Sequence, residues 1–332
     1  MRMRLLQPIR YLGTMICFYL MAILISACAG EKYFDQLTAR SSALRGYIVV
    51  AGAATAVTAP GTVGLFDSAG NLVRQLRDHY TDAEVTSGIA IFNNTIYNLV
   101  DGSDRVESNN PQTSAYTTVV NNPNIAAVFR HMTVDTSGYL YILETNTGTG
   151  GRGQIEKADL TDGTRIGAPF INTDTGAAPA CALQVPQGVT YVPSVNRIAV
   201  VNNAGNLLLY NASTGACAAS VNNAQFTGGN PRAIVYHAAT NKYLIAKIGT
   251  DNIVTANVDG TSPTVAYSNA TRVLDPYAIA VDADGYVYVG SAGQDTIEKF
   301  SFNGTTMTPV STAPLIPAGI YTQNPTAIAV FQ

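Results

Sequence analysis

Charged side chains are scarce in this chain of 332 residues, at 12% of the total, and tryptophan is absent. An ordinary soluble domain carries about twice that share of charge. Hydrophobic residues make up 47%, which is too much apolar surface for a disordered chain. The scarcity of charge disfavours helices covered with ion pairs, and the lack of tryptophan excludes Trp-Asp repeats. The formal net charge is −3, and no basic run follows the first ten residues, so we expect no nucleic-acid partner.

Residues 1–27 have the three parts of a secretory signal. Three arginines lie among the first ten residues, Tyr11 to Ile25 is an apolar stretch, and small residues follow it. This stretch is shorter than the roughly 20 residues that a membrane-spanning helix needs. The run Ser26-Ala27-Cys28 resembles the lipobox of bacterial lipoproteins, which implies that Cys28 carries diacylglycerol and fatty acids such as palmitate. The alternative is a plain signal peptide cut near Ala27, with Cys28 incidental.

The lipobox resemblance implies a location in the bacterial cell envelope, with the chain held at the membrane by a lipid anchor and its body in the periplasm. Ala29 follows the cysteine where an aspartate would signal retention, and this resembles lipoproteins of the outer membrane. Loss of residues 1–27 removes three arginines and no acid, so the mature charge is 16 − 22 = −6. We expect a lipidated cysteine and flexible tether over residues 28–45 and a folded body over residues 46–332.

One unit repeats throughout the body. Pro276 to Gly290 contains short runs of alternating apolar residues split by an Asp-x-Asp-Gly turn, and similar runs occur upstream. The first large apolar residue of each copy serves as an anchor: Ile89, Met132, Val189, Ile234, Ile279 and Ile328. The anchors are 43, 57, 45, 45 and 49 residues apart. Four strands with tight turns need roughly 40–50 residues, so the spacing predicts an all-β, six-bladed β-propeller of four-stranded antiparallel blades.

The two ends of the body complement each other. Residues 324–332 contain an innermost strand and then stop, whereas residues 46–76 contain three strands without an innermost one, namely Tyr47 to Val50, Val63 to Phe66 and Leu72 to Leu76. We predict that the C-terminal strand pairs with the N-terminal blade and closes the ring, which leaves no long bare edge. Small residues on the first strands fit the crowded axis of such a ring: Ala90, Ala233, Ala278, Ala280, Ala327 and Ala329.

Two stretches, Ala278 to Val289 and Gly64 to Gln75, resemble the NHL-type repeat, and the body as a whole resembles NHL-like and TolB-like propellers. This resemblance implies the architecture and no single function, because such propellers include scaffolds, ligand binders and a few enzymes. The chain departs from the usual repeat after its second strand, where Gly290-Ser-Ala-Gly-Gln stands in place of an aspartate. No site residue is therefore carried over from the family.

Two cysteines, Cys181 and Cys217, lie in the body. In an oxidising compartment they favour a disulfide, which we expect at the two ends of one blade. Two unpaired buried thiols are the alternative.

One polar residue precedes each anchor by two positions, and we predict that these six residues circle one mouth of the central channel. They are Ser87, Arg130, Gln187, Arg232, Tyr277 and Thr326. Two arginines with a glutamine and a tyrosine suit a carboxylate, a phosphate or a sugar. The alternative is that any strand entering from a loop begins with a polar residue.

Other motifs are interpreted as structural. Gly148 to Gly153 matches G-x-G-x-x-G but precedes a predicted strand, so we expect a loop and no dinucleotide. Asp282 to Gly285 lacks the remaining ligands of a calcium loop and is interpreted as a turn. His79, His131 and His237 have no metal-ligand spacing. We therefore predict no cofactor, metal or catalytic residue.

These features predict a lipoprotein that binds or assembles with a protein or glycan partner. Its binding face carries the longest inserts, Ala51 to Gly61, Thr145 to Gly153 and Asn172 to Gln184. The alternative is a propeller enzyme, either a metal-dependent lactonase-like hydrolase or a lyase, with its site at the channel mouth. The residues available to such an enzyme are Glu144, Asp251, Asp275 and His131.

Overall fold

The structure is a computed structural model, and Gly46–Gln332 forms one compact unit in it. It describes residues 44–53, 61–77, 84–103, 105–121, 127–146, 153–167, 169–172, 181–203, 205–226, 228–319 and 321–332. The predicted signal, the lipidation at Cys28 and nearly all of the tether lie outside these residues. Within them, no helix is both long enough and apolar enough to cross a membrane.

The described residues form six antiparallel sheets of four strands each. Blade 1 contains β1 (Ile48–Gly52), β2 (Thr62–Phe66) and β3 (Leu72–Arg77), and blade 2 contains β4 (Val85–Phe92), β5 (Thr95–Asp101), β6 (Arg105–Asn109) and β7 (Tyr116–Asn121). Blade 3 contains β8 (Ala127–Val134), β9 (Tyr139–Asn146), β10 (Gly153–Asp159) and β11 (Ile171–Asn172).

The second half of the chain continues the same pattern. Blade 4 contains β12 (Pro186–Val192), β13 (Arg197–Asn202), β14 (Asn206–Asn211) and β15 (Cys217–Asn222), with a 3-10 turn at Pro193–Val195. Blade 5 contains β16 (Pro231–His237), β17 (Lys242–Lys247), β18 (Asn252–Asn257) and β19 (Thr264–Ser268). Blade 6 contains β20 (Pro276–Val281), β21 (Val287–Ser291), β22 (Thr296–Phe302) and β23 (Met307–Pro309), and β24 (Pro325–Val330) completes blade 1.

The ring closes where the two ends of the chain meet. β24 pairs antiparallel with β1, with Ile48 opposite Val330 and Ala51 opposite Ala327. Beyond the strands, the Phe331 N–H donates to the Tyr47 carbonyl at 2.9 Å. Each innermost strand also contacts the innermost strands of both neighbouring blades. The predicted six-bladed propeller and its closure by the C-terminal strand are confirmed.

The hydrophobic core lies between neighbouring blades. Tyr141 and Leu143 of blade 3, for example, pack with Ile198 and Val200 of blade 4. The inner strands are buried on both faces because each sheet is covered by a blade on either side, and all five residues of β1 are buried, whereas outer strands such as β15 are largely exposed. Apolar burial between the blades is thus the main source of stability for the ring.

Space is least around the axis, where the innermost strands approach one another. A Cβ atom on Gly88 would lie 3.0 Å from the Met132 backbone nitrogen, and one on Gly188 would lie 2.9 Å from the Ala233 Cα. Larger side chains at these glycines would push the strands apart. This crowding accounts for the small residues of the first strands.

Two faces follow from the strand directions. The six innermost strands begin at one face of the ring, which we call the entry face. They end at the opposite face, which we call the exit face. Loops between the second and third strands and between blades lie on the entry face, and the remaining turns lie on the exit face. The strands that flank the three longest predicted inserts meet the entry face, whereas residues 54–60, 147–152 and 173–180 within the inserts are outside the described part.

Cys181 and Cys217 form a disulfide, with Cα atoms 6.2 Å apart, as the sequence predicts. Its position differs from the expectation that it would join the two ends of one blade. Cys181 lies in the segment that links blade 3 to blade 4, and it is buried between those blades beside Tyr210. Cys217 begins β15, the outermost strand of blade 4. The bond therefore fastens an interblade segment to an outer strand.

Candidate functional site

A β-bulge near the beginning of every innermost strand positions the candidate site. In β12, Pro186 pairs with Asn202 and Gly188 pairs with the next residue, Val201, so Gln187 is the extra residue. The same two-against-one pairing occurs in all six blades. The extra residues are Ser87, Arg130, Gln187, Arg232, Tyr277 and Thr326. These are the six predicted ring residues, and a bulge releases each of them from the regular ladder.

Four of the bulge residues are bound to other protein groups. Arg232 donates to the Gln187 side-chain oxygen and to the Tyr277 hydroxyl, and its guanidinium carbon lies 4.0 Å from the Tyr277 ring centroid. The Gln187 amide also donates to the Val185 carbonyl at 3.3 Å. Thr326 Oγ1 lies 2.6 Å from the Thr86 carbonyl oxygen, which links blade 1 to blade 2. The structure thus brings residues from blades 4, 5 and 6 together at the mouth.

The other two bulge residues have buried polar atoms without a partner. Arg130 Nε and Ser87 Oγ are buried, and neither has a hydrogen-bond partner in the described part of the chain. The same is true of Thr86 Oγ1 and His131 Nδ1, which lie directly beside them in sequence. We call Thr86, Ser87, Arg130 and His131 the open half of the mouth. Buried polar atoms of this kind are uncommon and mark places where a ligand or water can bind.

Charged groups at the mouth influence one another. Asp101, at the end of β5, accepts hydrogen bonds from the backbone N–H groups of Gly102 at 3.0 Å and Phe129 at 3.3 Å. Burial raises the pKa of the Asp101 carboxyl, and these bonds and the charges of Arg130 and Arg232 oppose the shift. Burial, followed by repulsion from Arg130, lowers the pKa of Arg232 to about 10. Both arginines and the aspartate therefore act as one electrostatic cluster.

His131 occupies a position where the other blades have only small residues. The residue after the bulge is Gly88, Gly188, Ala233, Ala278 or Ala327 in those blades. Burial, together with the nearby charge of Arg232, lowers the pKa of the His131 imidazole to about 4, although a bond to the Val189 backbone opposes the shift. The ring is therefore neutral at pH 7. A large polar residue at a position that is otherwise glycine or alanine is the sequence signal for the open half. The sequence analysis did not use this signal.

An apolar cavity of about 180 Å³ lies along the axis. It is lined by all six anchors, and none of the bulge residues is among its lining residues. Gln332, at the end of the chain, also lines it. His131 of the open half also lines this cavity, so the polar mouth and the apolar cavity adjoin at His131.

The remaining predicted site residues have structural partners. Asp251 accepts a hydrogen bond from the Asp275 backbone N–H at 2.8 Å, which joins blades 5 and 6. Glu144 accepts one from the Gln154 amide at 2.7 Å. Among the described residues, no group of three or more His, Cys, Asp or Glu side chains is arranged to hold a metal ion. The four residues considered for the enzyme alternative are thus not brought into one such group.

The other sequence motifs also have defined local surroundings. Asp282 accepts hydrogen bonds from the backbone N–H groups of Asp284 and Tyr286, at 3.0 and 2.8 Å, as expected of a turn residue. His237 contacts the Gly285 carbonyl oxygen at 2.9 Å, between blades 5 and 6. Gly148 and the four residues after it lie outside the described residues, as does His79. Gly153 begins β10, so a strand follows the glycine-rich segment.

Comparisons with known proteins bear on the fold. No protein-family model matches the sequence, and no curated protein matches it either. Among solved structures, a chain in the crystal structure of a nidogen/laminin complex is similar, with a TM-score of 0.63 and 12% identity. The similarity covers 86% of this chain and 98% of that one.

Two bacterial proteins of unknown function are also similar in structure. One, from Bacteroides caccae, has a TM-score of 0.58 and 10% identity, covering 86% of this chain and 98% of that chain. The other, from Bacteroides thetaiotaomicron, has a TM-score of 0.51 and 13% identity, covering 82% and 80%. At these identities the likeness establishes the fold alone, and the protein is a six-bladed β-propeller.

Proposed function

We propose that this protein is a lipoprotein of the bacterial cell envelope, anchored through acylated Cys28 at the outer membrane, whose propeller binds a protein or glycan partner through its entry face. In this proposal residues 1–27 are the signal and residues 28–45 the tether of an NHL-like, TolB-like propeller. The mature charge of −6 suits a body held beside an anionic membrane surface without lying on it.

One observation carries the choice of face. The ring of six bulge residues and the strand ends that flank the longest inserts share the entry face. Variable loops on a rigid scaffold are where binding residues concentrate. The entry face therefore combines a polar central mouth with the longest surrounding segments.

The turns of the exit face are short and satisfy many of their own polar groups, and two interblade segments of the entry face contain similar turns at Asn223 and Asn269. The Asn110 side chain accepts hydrogen bonds from the backbone N–H groups of Gln112 and Thr113, at 2.8 and 3.1 Å. Equivalent Asx turns are centred on Asp67, Asp135, Asp159, Asn211, Asp259, Asp282 and Asn303. Short self-bonded turns offer few groups to a partner.

Site-specific photocrosslinking in the native envelope tests the choice of face. A photoreactive phenylalanine analogue replaces Thr250, an exposed residue of an entry-face loop, or Thr305, an exposed residue of an exit-face turn. We expect a discrete crosslinked product with the full lipidated chain from position 250 and none from position 305. Crosslinking from position 305 alone, or from neither position, would contradict the proposal.

Metabolic labelling tests the anchor separately. Labelled palmitate should enter the wild-type protein and should be absent from a Cys28→Ser variant. A Cys17→Ser variant is the matched control, because that cysteine lies inside the predicted signal, and its labelling should equal that of the wild type. Equal labelling of the Cys28→Ser variant would refute acylation at this residue.

A further inference from the structure

We propose that the open half of the mouth binds a carboxylate on a hydroxylated ligand, with Arg130 and Ser87 as its donors. This inference rests on the proposed function, because it names the chemical group that the entry face recognises. It assigns different roles to the two arginines, which the sequence placed in one undivided ring.

The two donors lie on innermost strands that contact each other, Ser87 on β4 of blade 2 and Arg130 on β8 of blade 3. Both are bulge residues at equivalent positions of neighbouring innermost strands. The residues that follow them approach closely, since a Cβ on Gly88 would lie 3.4 Å from the His131 carbonyl carbon. An oxygen placed at this interface can therefore be reached from both strands.

The lack of protein partners makes these groups available. A buried guanidinium N–H without an acceptor loses its hydration and gains nothing in exchange, and a bound carboxylate oxygen restores that bond. The Ser87 hydroxyl can donate to the same group. Arg232 differs, because its N–H groups already donate to Gln187 and Tyr277, so it contributes charge and holds the ring together.

Charge favours a carboxylate over a phosphate. Arg130 and Arg232 supply positive charge, and the Asp101 carboxyl belongs to the same electrostatic cluster. A carboxylate brings one negative charge to this cluster, whereas a phosphate dianion brings two. The second negative charge adds repulsion with the ionised form of the buried Asp101 carboxyl, so we expect the carboxylate to bind more tightly.

The remaining atoms of the open half favour a ligand with a hydroxyl group close to its carboxylate. Thr86 Oγ1 can donate or accept, and Nδ1 of the neutral His131 ring can accept, because the other ring nitrogen carries the proton that bonds to the Val189 backbone. Neither atom needs a charged partner. Uronic acids and other hydroxy acids have this combination of groups, whereas a peptide carboxylate lacks the neighbouring hydroxyl.

Calorimetric titration of the full chain in detergent tests the inference with four probes. Glucuronate has both groups, glucose lacks the carboxylate, N-acetylglycine lacks the hydroxyls, and inorganic phosphate supplies the dianion. We expect binding in the order glucuronate, N-acetylglycine, and then phosphate and glucose. If N-acetylglycine binds at least as tightly as glucuronate, the ligand is a peptide carboxylate, and the proposal of a hydroxylated ligand is overturned. Phosphate binding as tightly as glucuronate, or no binding of either carboxylate, would overturn the site.

Variants assign the donors. Arg130→Gln should weaken glucuronate binding by about tenfold or more, because it removes a charge-assisted bond, and Ser87→Ala should weaken it by about fivefold. Arg130→Lys retains charge without the planar fork, so it should fall between Arg130→Gln and the wild type. Arg74→Gln changes an exposed arginine on an outer strand and is the matched control, with unchanged affinity. Unchanged affinity in both Arg130 variants would overturn the assignment.

The outcomes separate this inference from the proposed function. Crosslinking from position 250 without binding of either carboxylate would refute the inference alone. If no crosslink forms from position 250 but glucuronate binds and the Arg130 variants weaken its binding, the partner-binding function is refuted and the carboxylate site stands.

Discussion

Reduction of the disulfide between Cys181 and Cys217 should lower the melting temperature of the propeller measurably. The bond spans a sequence separation of 36 residues and fastens the segment between blades 3 and 4 to β15. Cys181 is fully buried, and its carbonyl accepts a hydrogen bond of 2.6 Å from Tyr210. The linking segment is thus held to blade 4 by packing and by a hydrogen bond as well as by the disulfide.

The size of the effect follows from the loop that the bond closes. Closing a loop of this length removes chain entropy from the unfolded state worth about 4 kcal/mol at 25 °C. An unfolding entropy of about 2.1 cal/mol/K per residue over roughly 290 residues gives about 0.6 kcal/mol/K. The ratio predicts a melting temperature lower by about 6 °C after reduction.

Differential scanning calorimetry of the chain from Ala29 onward, with and without a phosphine reductant, measures this shift. In that chain Cys181 and Cys217 are the only cysteines. The double variant Cys181→Ala, Cys217→Ala is the control and should melt at one temperature in both conditions. A shift below 1 °C in the wild type, or two free thiols per chain in unreduced denatured protein, would refute the reasoning.

Three further predictions concern the ring and its axis. Truncation before Asn324 removes β24, so the shortened chain should lose cooperative thermal unfolding, and full cooperativity after truncation would contradict the closure. Phe331→Ala leaves a cavity at a buried position of the closure and should lower the free energy of unfolding in urea by about 3–5 kcal/mol. Burial lowers the His131 pKa from 6.5 to about 4 in the folded state, so as the pH falls the unfolded state binds a proton before the folded state does. The free energy of unfolding should therefore be unaffected above pH 6.5 and should fall by up to about 3 kcal/mol toward pH 4. Urea titrations at both ends of that range should show a smaller loss for His131→Gln, and an identical loss would exclude His131 as its source. Gly188→Ala should destabilise by about 1–3 kcal/mol because the new Cβ meets the Ala233 Cα. Gly319→Ala is the control and should change stability by less than about 0.5 kcal/mol, because its Cβ would make only an ordinary contact of 3.9 Å with the Pro317 carbonyl oxygen. Equal effects of the two substitutions would contradict crowding at the axis.

The architecture was predictable because the repeat is local. Hairpins with Asx turns and a spacing close to 45 residues define a blade without any knowledge of long-range contacts. Closure was predictable because residues 324–332 and 46–76 lack complementary strands. The predicted strand Tyr47 to Val50 lies one or two residues from the observed Ile48–Gly52, which is the usual uncertainty at strand ends.

The candidate site was only partly predictable. The sequence places one polar residue two positions before each anchor, and in the structure each of these residues is the extra residue of a bulge, while their role in ligand binding stays a prediction. Which of them bond to one another depends on side-chain orientation across blades, and Arg232 reaches residues 45 positions away on both sides. The location of the disulfide was wrong for a similar reason, because Cys181 precedes blade 4 and its depth between blades is a tertiary property.

The closure between β1 and β24 also determines the side on which the N-terminal segment joins the ring. β24 runs from the entry face toward the exit face, and Ile48 pairs with Val330 near its end, so the chain enters the ring on the exit side. The segment that precedes Ile48 therefore joins the ring on the side of the self-bonded turns, and the polar mouth opens on the opposite side, away from that junction.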